Sequence, residues 1–262
     1  MQSRNQKKSK YPLGKVPLER ALSKLGITSR SQAREWISKG RIRVNAKVQR
    51  NPEFLVTPEK AKIELDGKII GKAEVLVVLL YKPKGTITSR SDEKGRPTVF
   101  SLIKGLDTHL SAVGRLDFAT SGLLLLTNDT RLVTWLTDPA SKVVRTYLVT
   151  VRGRVAEEEL EHLKNGIRDN DELLQVNGVL LRKSSEKESH LTVELTEGKN
   201  REIRRIFKVL GHEVTKLKRV AFGGLTLGAL QSGEYRVVSM EEVKAAFPRA
   251  PLRSGPIEHS AF

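Results

Sequence analysis

One carboxylate stands apart in this chain. Asp117 lies in GRLDFATSGLLLLTND (114–129), between a glycine at position 114 and a run of four leucines at 123–126. Gly114 before it and Thr120-Ser121-Gly122 after it favour a loop, and the leucine run reads as a strand that gives the loop a rigid base. Desolvation beside apolar surface drives a carboxylate toward its neutral form, which spoils it as a base or nucleophile. Chemistry at Asp117 therefore calls for a cation nearby to keep it ionised. The same spacing also fits a turn aspartate that caps its own backbone.

A cation is available in TEGKNREIRRIFKVLG (196–211). At about 100° per residue on a helix, Ile203, Ile206, Phe207 and Leu210 gather on one face, and Arg201, Arg204, Arg205 and Lys208 on the other. Arg204 lies where the two faces meet, placed to reach a half-buried carboxylate while its neighbours face phosphates. The alternative is a solvated basic face with no catalytic member.

Other chemistries lack their residues. There is no phosphate-cradling glycine loop and no dinucleotide fingerprint. The five histidines are scattered without metal-ligand spacing, and the absence of cysteine removes thiolate zinc sites, disulfides and thiol nucleophiles. A carboxylate working without cofactor or metal is the expectation.

The charge distribution suggests the partner. Net charge is +17, and it is concentrated: five Lys/Arg against no acid in 1–15, thirteen against six in 16–72, and eight against two in 199–219. Three separate basic segments are the footprint of a polyanion, nucleic acid above all. The longest strictly apolar run, VLVVLL, is far shorter than the roughly 20 residues that span a bilayer. The basic N-terminus carries no apolar segment behind it, so neither a membrane segment nor a secretory signal is expected.

Residues 1–15 read as a flexible basic arm. In 16–72, Leu18, Ala21, Leu22 and Leu25 recur at helical spacing between Pro17 and Gly26. A second helix, with Thr28, Ser29 and Ser31 as cap candidates, places Ala33, Trp36 and Ile37 inward and ends at Gly40. RIRVNAKVQ then alternates as a strand that turns at Asn45-Ala46. Arg30 and Arg34 share a helix face, and Arg41 and Arg43 share a strand face, which suits a clamp on an RNA backbone. A polar linker is expected from Asp66 to Glu74. Beyond it, VLVVLLYKPKG, GLLLLTND, RTYLVTVRGRV and HLTVELTEG read as strands. Asp129 is placed to cap the helix TRLVTWLTD, and EEELEHLKNG forms another helix. Strands and helices mix without regular alternation, which favours α+β. Residues 248–262 read as a loose tail.

Residues 16–72, with SRSQAREWISKGRIRVN, resemble the S-four (α-L) RNA-binding domain, although Ala46 stands where that family commonly has glycine. GRLDFATSGLLLLTND, KPKG, RTYLV and EGKNREIRRIF…LGHEVTKLKRVAFGGL resemble the signature segments of RNA pseudouridine synthases, in particular the RsuA/RluB type, over about 16–245. The resemblance implies an α+β chain in which the small N-terminal RNA-binding unit precedes a larger catalytic domain, 75–247, on a mixed, mainly antiparallel sheet with flanking helices. It makes Asp117 the catalytic carboxylate and Arg204 its basic partner. Tyr147 becomes the tyrosine that stacks on the flipped base and assists proton removal, and Arg115 the arginine that helps extrude the nucleotide. The implied activity is cofactor-free isomerisation of one uridine in ribosomal RNA, the large subunit being favoured by DEKGRPTV, in a cytoplasmic monomer. The competing expectation is a non-catalytic, RNA-binding ribosome-assembly factor.

Overall fold

Helical and alternating apolar spacings separate into two bodies. The structure, a computed structural model, describes residues 11–58, 60–71, 73–106 and 108–252. In the N-terminal body, helix α1 (Leu18–Lys24) buries Leu18, Ala21 and Leu22, and Gly26, at φ +78°, takes the left-handed turn that ends it. Helix α2 (Arg30–Ser38) is capped by Ser29, whose hydroxyl accepts the Gln32 N–H at 3.1 Å. Four short strands follow: β1 (Ile42–Val44), β2 (Lys47–Val48), β3 (Ile63–Leu65) and β4 (Lys68–Ile69), ordered β2-β1-β3-β4 across an antiparallel sheet. Asn45 and Ala46 both have positive φ, 49° and 65°, the backbone of a tight hairpin turn whose twist matches the flanking strands.

The expected linker from Asp66 to Glu74 is corrected in part. Asp66 and Gly67 form a second turn with positive φ at both positions, and Lys68–Ile69 returns as β4. An Asp-Gly pair satisfies that turn at little steric cost, so the polar run continues the sheet before it links anything.

The larger body is built on a nine-stranded sheet. Its main path uses β5 (Val77–Lys82), β6 (Ser121–Thr127), β7 (Arg145–Arg152), β8 (Gly178–Ser184), β9 (Glu188–Leu195), β10 (Val214–Phe222) and β11 (Tyr235–Val238). They lie in the order β8-β9-β7-β10-β6-β5-β11, and Ser111–Ala112 and Leu225–Thr226 pair beside β6 and β10. Every pairing is antiparallel except β6 with β10. Helices α3 (Thr130–Thr137), α4 (Glu157–Asn165), α5 (Glu202–Val209) and α6 (Met240–Ala246) cover the sheet.

The leucine run is now explained. On β6 successive side chains point to opposite faces. Leu124 and Leu126 enter one apolar layer with Tyr147, Ile203 and Phe207, while Leu123 and Leu125 enter the other with Leu132, Leu136 and Phe222. All four are fully buried, so the run marks a strand covered on both faces rather than a half-exposed one.

Where β6 starts, Gly122 (φ +111°) lies against β10 so closely that a β-carbon would stand 2.1 Å from the Arg219 carbonyl oxygen. Only glycine fits that crossing. Most of the expected arm, 1–10, and of the expected tail, 253–262, falls outside the described residues. The start of the tail is not loose, because Ala250 and Leu252 pack against the second apolar layer.

Candidate active site

Asp117 sits in the segment between Ser111–Ala112 and β6, and five consecutive carbonyls of that segment are occupied. Leu116 O accepts from the Thr88 hydroxyl at 2.9 Å. Asp117 O accepts from Thr120 N–H at 3.0 Å and from Lys82 Nζ at 3.1 Å. Phe118 O accepts from Gly85 N–H at 2.8 Å, Ala119 O from Arg204 Nη2 at 3.3 Å, and Thr120 O from Lys82 Nζ at 2.8 Å. The carboxylate thus projects from a loop whose backbone is pinned on several sides, which is what preorganised chemistry needs.

Lys82 is the residue that sequence reading missed. It ends β5, is fully buried, and gives its third hydrogen bond to Pro83 O at 3.0 Å. Burial pushes its ammonium down to about 8, and the nearby Asp117 charge pulls back against that shift. Its signal was present in KPKG, yet a lysine after VLVVLLY reads as the polar end of a strand.

Asp117 opens into a cavity of about 340 Å3, within the size range of small-ligand sites. Arg115 and Thr120 line it from the loop, Arg145 and Tyr147 from β7, Leu217 and Arg219 from β10, and Arg201 and Arg204 from the start of α5. Tyr147 is buried on the cavity wall.

The α5 face falls as expected: Ile203, Ile206 and Phe207 are buried, Leu210 packs partly against them, and Arg204 sits half-buried at the edge. Its guanidinium donates to Val214 O at 2.9 Å as well as to Ala119 O. Among the described residues no direct ion pair joins it to Asp117. Burial and the neighbouring Arg201 lower its pKa, while Asp117 raises it, so the carboxylate and the guanidinium interact across the cavity.

Two further arginines on the cavity wall are held by carbonyls. Arg145 donates to Thr196 O at 2.6 Å, Glu197 O at 3.2 Å and Leu136 O at 2.9 Å, and burial lowers its pKa. Arg219 donates to Leu123 O at 2.7 Å, and its Nη2 has no partner among the described residues. Both guanidiniums lie near the Phe222 ring, 5.1 and 5.0 Å from its centroid. Glu202, also on the cavity wall, is buried and its carboxyl is pushed up by that burial; it accepts from Lys199 N–H at 3.2 Å. The cavity therefore holds several cations bound by neutral carbonyls, and its field favours anions.

The expected RNA contacts divide. Arg115 and Arg201 are exposed at the cavity, Lys208 is exposed farther along α5, and Arg30 and Arg43 are exposed on the N-terminal body. Arg34 is instead paired with Glu19, Arg41 with Asp66, and Arg205 with Asp169 and Glu172.

Comparison with known proteins agrees with this geometry. The RNA pseudouridylate synthase family model matches residues 76–208, and the S4 domain matches 16–62. The chain is 37% identical over 230 residues to ribosomal large subunit pseudouridine synthase B of Bacillus subtilis (strain 168), covering 87% of this chain and 93% of the relative. An uncharacterized RNA pseudouridine synthase of Aquifex aeolicus (strain VF5) is 33% identical, with 92% and 97% covered. A crystal structure of a pseudouridylate synthase superposes with a TM-score of 0.60 at 27% identity, covering 87% of this chain and 98% of that one. Matches to family models and to relatives over most of the chain have one consistent assignment: the chain belongs to the RNA pseudouridine synthases, isomerases of RNA, of the RsuA/RluB type with an N-terminal S4 domain.

Proposed function

We propose that the chain isomerises one uridine of large-subunit ribosomal RNA to pseudouridine, in the cytoplasm, with Asp117 as its catalytic carboxylate. The observation that carries this reading is the pinned loop that presents Asp117 to a cavity shared with Tyr147 and Arg204. The name of the Bacillus subtilis relative supports the choice of RNA. The uridine must leave its stack before a protein group can reach its sugar bond. Arg115, exposed at the rim, helps extrude the nucleotide, and Tyr147 offers the ring on which the base stacks and assists proton removal. Asp117 breaks the glycosidic bond, by attack on the anomeric carbon or by removing the 2′ proton to leave a glycal. The uracil then turns and forms the C1′–C5 bond as the Asp117 ester breaks or as the proton returns to the 2′ carbon; C5 gives up its proton and N1 takes one, so no atom is gained or lost. Arg204 holds positive charge near Asp117 in a site shielded from water.

Incubation with large-subunit transcript, followed by carbodiimide mapping of pseudouridine, tests this reading. One modified position is expected. Asp117→Asn is expected to lower the rate at least about 10^3-fold while folding and RNA binding persist. A wild-type enzyme that binds the transcript and modifies nothing would instead be the assembly factor. Substrate deuterated at the 2′ carbon separates the two routes, since only the glycal route breaks that bond.

A further inference from the structure

DEKGRPTV (92–99) folds into a closed loop beside the catalytic segment. Ile87 N–H donates to Pro97 O and Val99 N–H to Ile87 O, both at 2.9 Å, which ties the base of the loop. The tip turns on Asp92, whose carboxylate accepts the N–H groups of Lys94 at 3.1 Å and Arg96 at 2.9 Å. The same carboxylate takes the Arg96 guanidinium in a two-pronged pair, at 3.0 and 2.7 Å. Pairing of that kind fixes the direction of a guanidinium as well as its place. The guanidinium, and after it the Arg96 N–H, hold the Asp92 carboxyl down at about 2, so the pair stays ionised across the neutral range.

What the loop holds is Phe118. The Arg96 guanidinium carbon stands 5.7 Å from the centre of the Phe118 ring, within cation–π range. The backbone beneath the ring is fixed from the same stretch of chain: Gly85 N–H donates to Phe118 O at 2.8 Å, and the Thr88 hydroxyl donates to Leu116 O at 2.9 Å. The ring is nevertheless 47% exposed. It follows Asp117 directly in the chain and does not line the catalytic cavity.

A single exposed apolar side chain is ordinary. Holding one still costs conformational entropy, and here Asp92 and Arg96 are both committed to it. The charge of Arg96 is met by Asp92, so this arginine serves the ring rather than a phosphate. A uridine whose sugar reaches Asp117 has its neighbours one nucleotide away on either side. Extrusion strips each neighbour of the stack it shared with the uridine, and an aromatic ring offers a new stack to any base.

We infer that Phe118, held by Arg96, stacks on a base adjoining the extruded uridine and makes up part of the stacking that extrusion removes. The inference rests on the uridine-isomerising reading and adds to it a contact with the nucleotide beside the target.

The test is a cycle between one side chain and one base. The full chain is given the RNA fragment that carries the modified uridine, and two versions in which the nucleotide before or after that uridine is abasic. Single-turnover rates with enzyme below saturation read kcat/KM. On intact RNA, Phe118→Leu is expected to lower kcat/KM about tenfold, and Phe118→Tyr, which keeps the ring, to stay within about twofold of wild type. One of the abasic RNAs is expected to slow the wild type about tenfold and to slow the leucine variant no further, since the ring that met the lost base is already gone. Arg96→Gln is expected to lose about threefold on intact RNA, and an unchanged rate would remove Arg96 from the stack. Circular dichroism melting establishes that each variant is folded. A Phe118→Leu loss of equal size on the intact and both abasic RNAs would overturn the proposal, because a residue that only braces the Asp117 loop is blind to the neighbouring base. So would a leucine variant with no loss at all. Failure of the functional reading is distinguishable: the wild type would then modify no uridine, whereas a wild type that modifies its uridine without coupling to Phe118 overturns this proposal alone.

Discussion

The N-terminal body and the catalytic cavity use arginine in opposite ways. In the first, Arg34 and Arg41 meet Glu19 and Asp66, and each pair cancels its own charge at the surface. In the second, Arg145, Arg204 and Arg219 are held by the carbonyls of Leu136, Thr196, Glu197, Ala119, Val214 and Leu123. A carbonyl fixes the guanidinium and leaves its charge in place. The cavity thus gains a positive field in a setting where charge is weakly screened, while the exposed Arg41–Asp66 pair adds little to stability. Abundance of arginine says less about nucleic-acid binding than what each arginine is bonded to.

The sharpest way to break this contrast is at Arg204. Arg204→Ala removes both the charge facing Asp117 and the donor to Ala119 O, and a rate loss of at least about 100-fold is expected, with RNA affinity changed much less. Arg204→Lys, which keeps the charge, is expected to recover part of the rate and to leave the pH profile unchanged. A normal rate for the alanine variant would show that the cavity charge has no bearing on Asp117.

Lys82 sets the next largest effect. Lys82→Met leaves the Pro83 and Thr120 carbonyls without their Lys82 donor and takes one of two donors from Asp117 O, and it is expected to lower stability by about 3 kcal/mol, read from denaturant unfolding. In the wild type its ammonium titrates at about 8 when folded, below the ordinary 10.5. Between those values the unfolded chain binds the extra proton, so this group makes stability rise with pH. Activity is expected to go the other way, falling above about pH 8 as the deprotonated amine loses a donor and a charge beside Asp117. A rate that stays level to pH 10 would remove Lys82 from the positioning of the loop.

The smallest effect concerns the paired arginines. Replacing Glu19 and Arg34 together by glutamine is expected to leave the salt dependence of RNA binding unchanged. Arg43→Gln, which alters an arginine without an ion pair among the described residues, is expected to reduce the slope by roughly 0.7–0.9. Equal slopes for the two variants would mean that carboxylate pairing does not withdraw an arginine from RNA.

Much of this architecture is legible in the sequence. The unbroken leucine run of β6, the two faces of α5, the caps at Ser29 and Asp129 and the Asn45-Ala46 turn are local patterns, and local patterns survive folding. Asp117 and Arg204 were placed from such patterns and do share a cavity. What escaped depends on distant partners. Lys82 is buried because carbonyls 35 and 38 residues away accept its hydrogen bonds. Arg205 is paired because Asp169 and Glu172 come from a hairpin more than thirty residues upstream. Asp66-Gly67 was a readable turn signal hidden in a polar stretch. The Asp117–Arg204 relation was expected as a pair and is instead an interaction across space, because two carbonyls claim the guanidinium first.

The occupied carbonyls around Asp117 have a consequence for selectivity. A backbone with its acceptors already taken has little slack with which to close on a substrate. The movement that brings a uridine to the carboxylate then falls on the RNA, which must unpair, unstack and bend. A target in a loop or bulge has already met part of that cost, and one in a regular helix has met none. Two sites of identical sequence would then be told apart by how readily each gives up its base, and the stiffness of the protein becomes a gauge of the softness of the RNA.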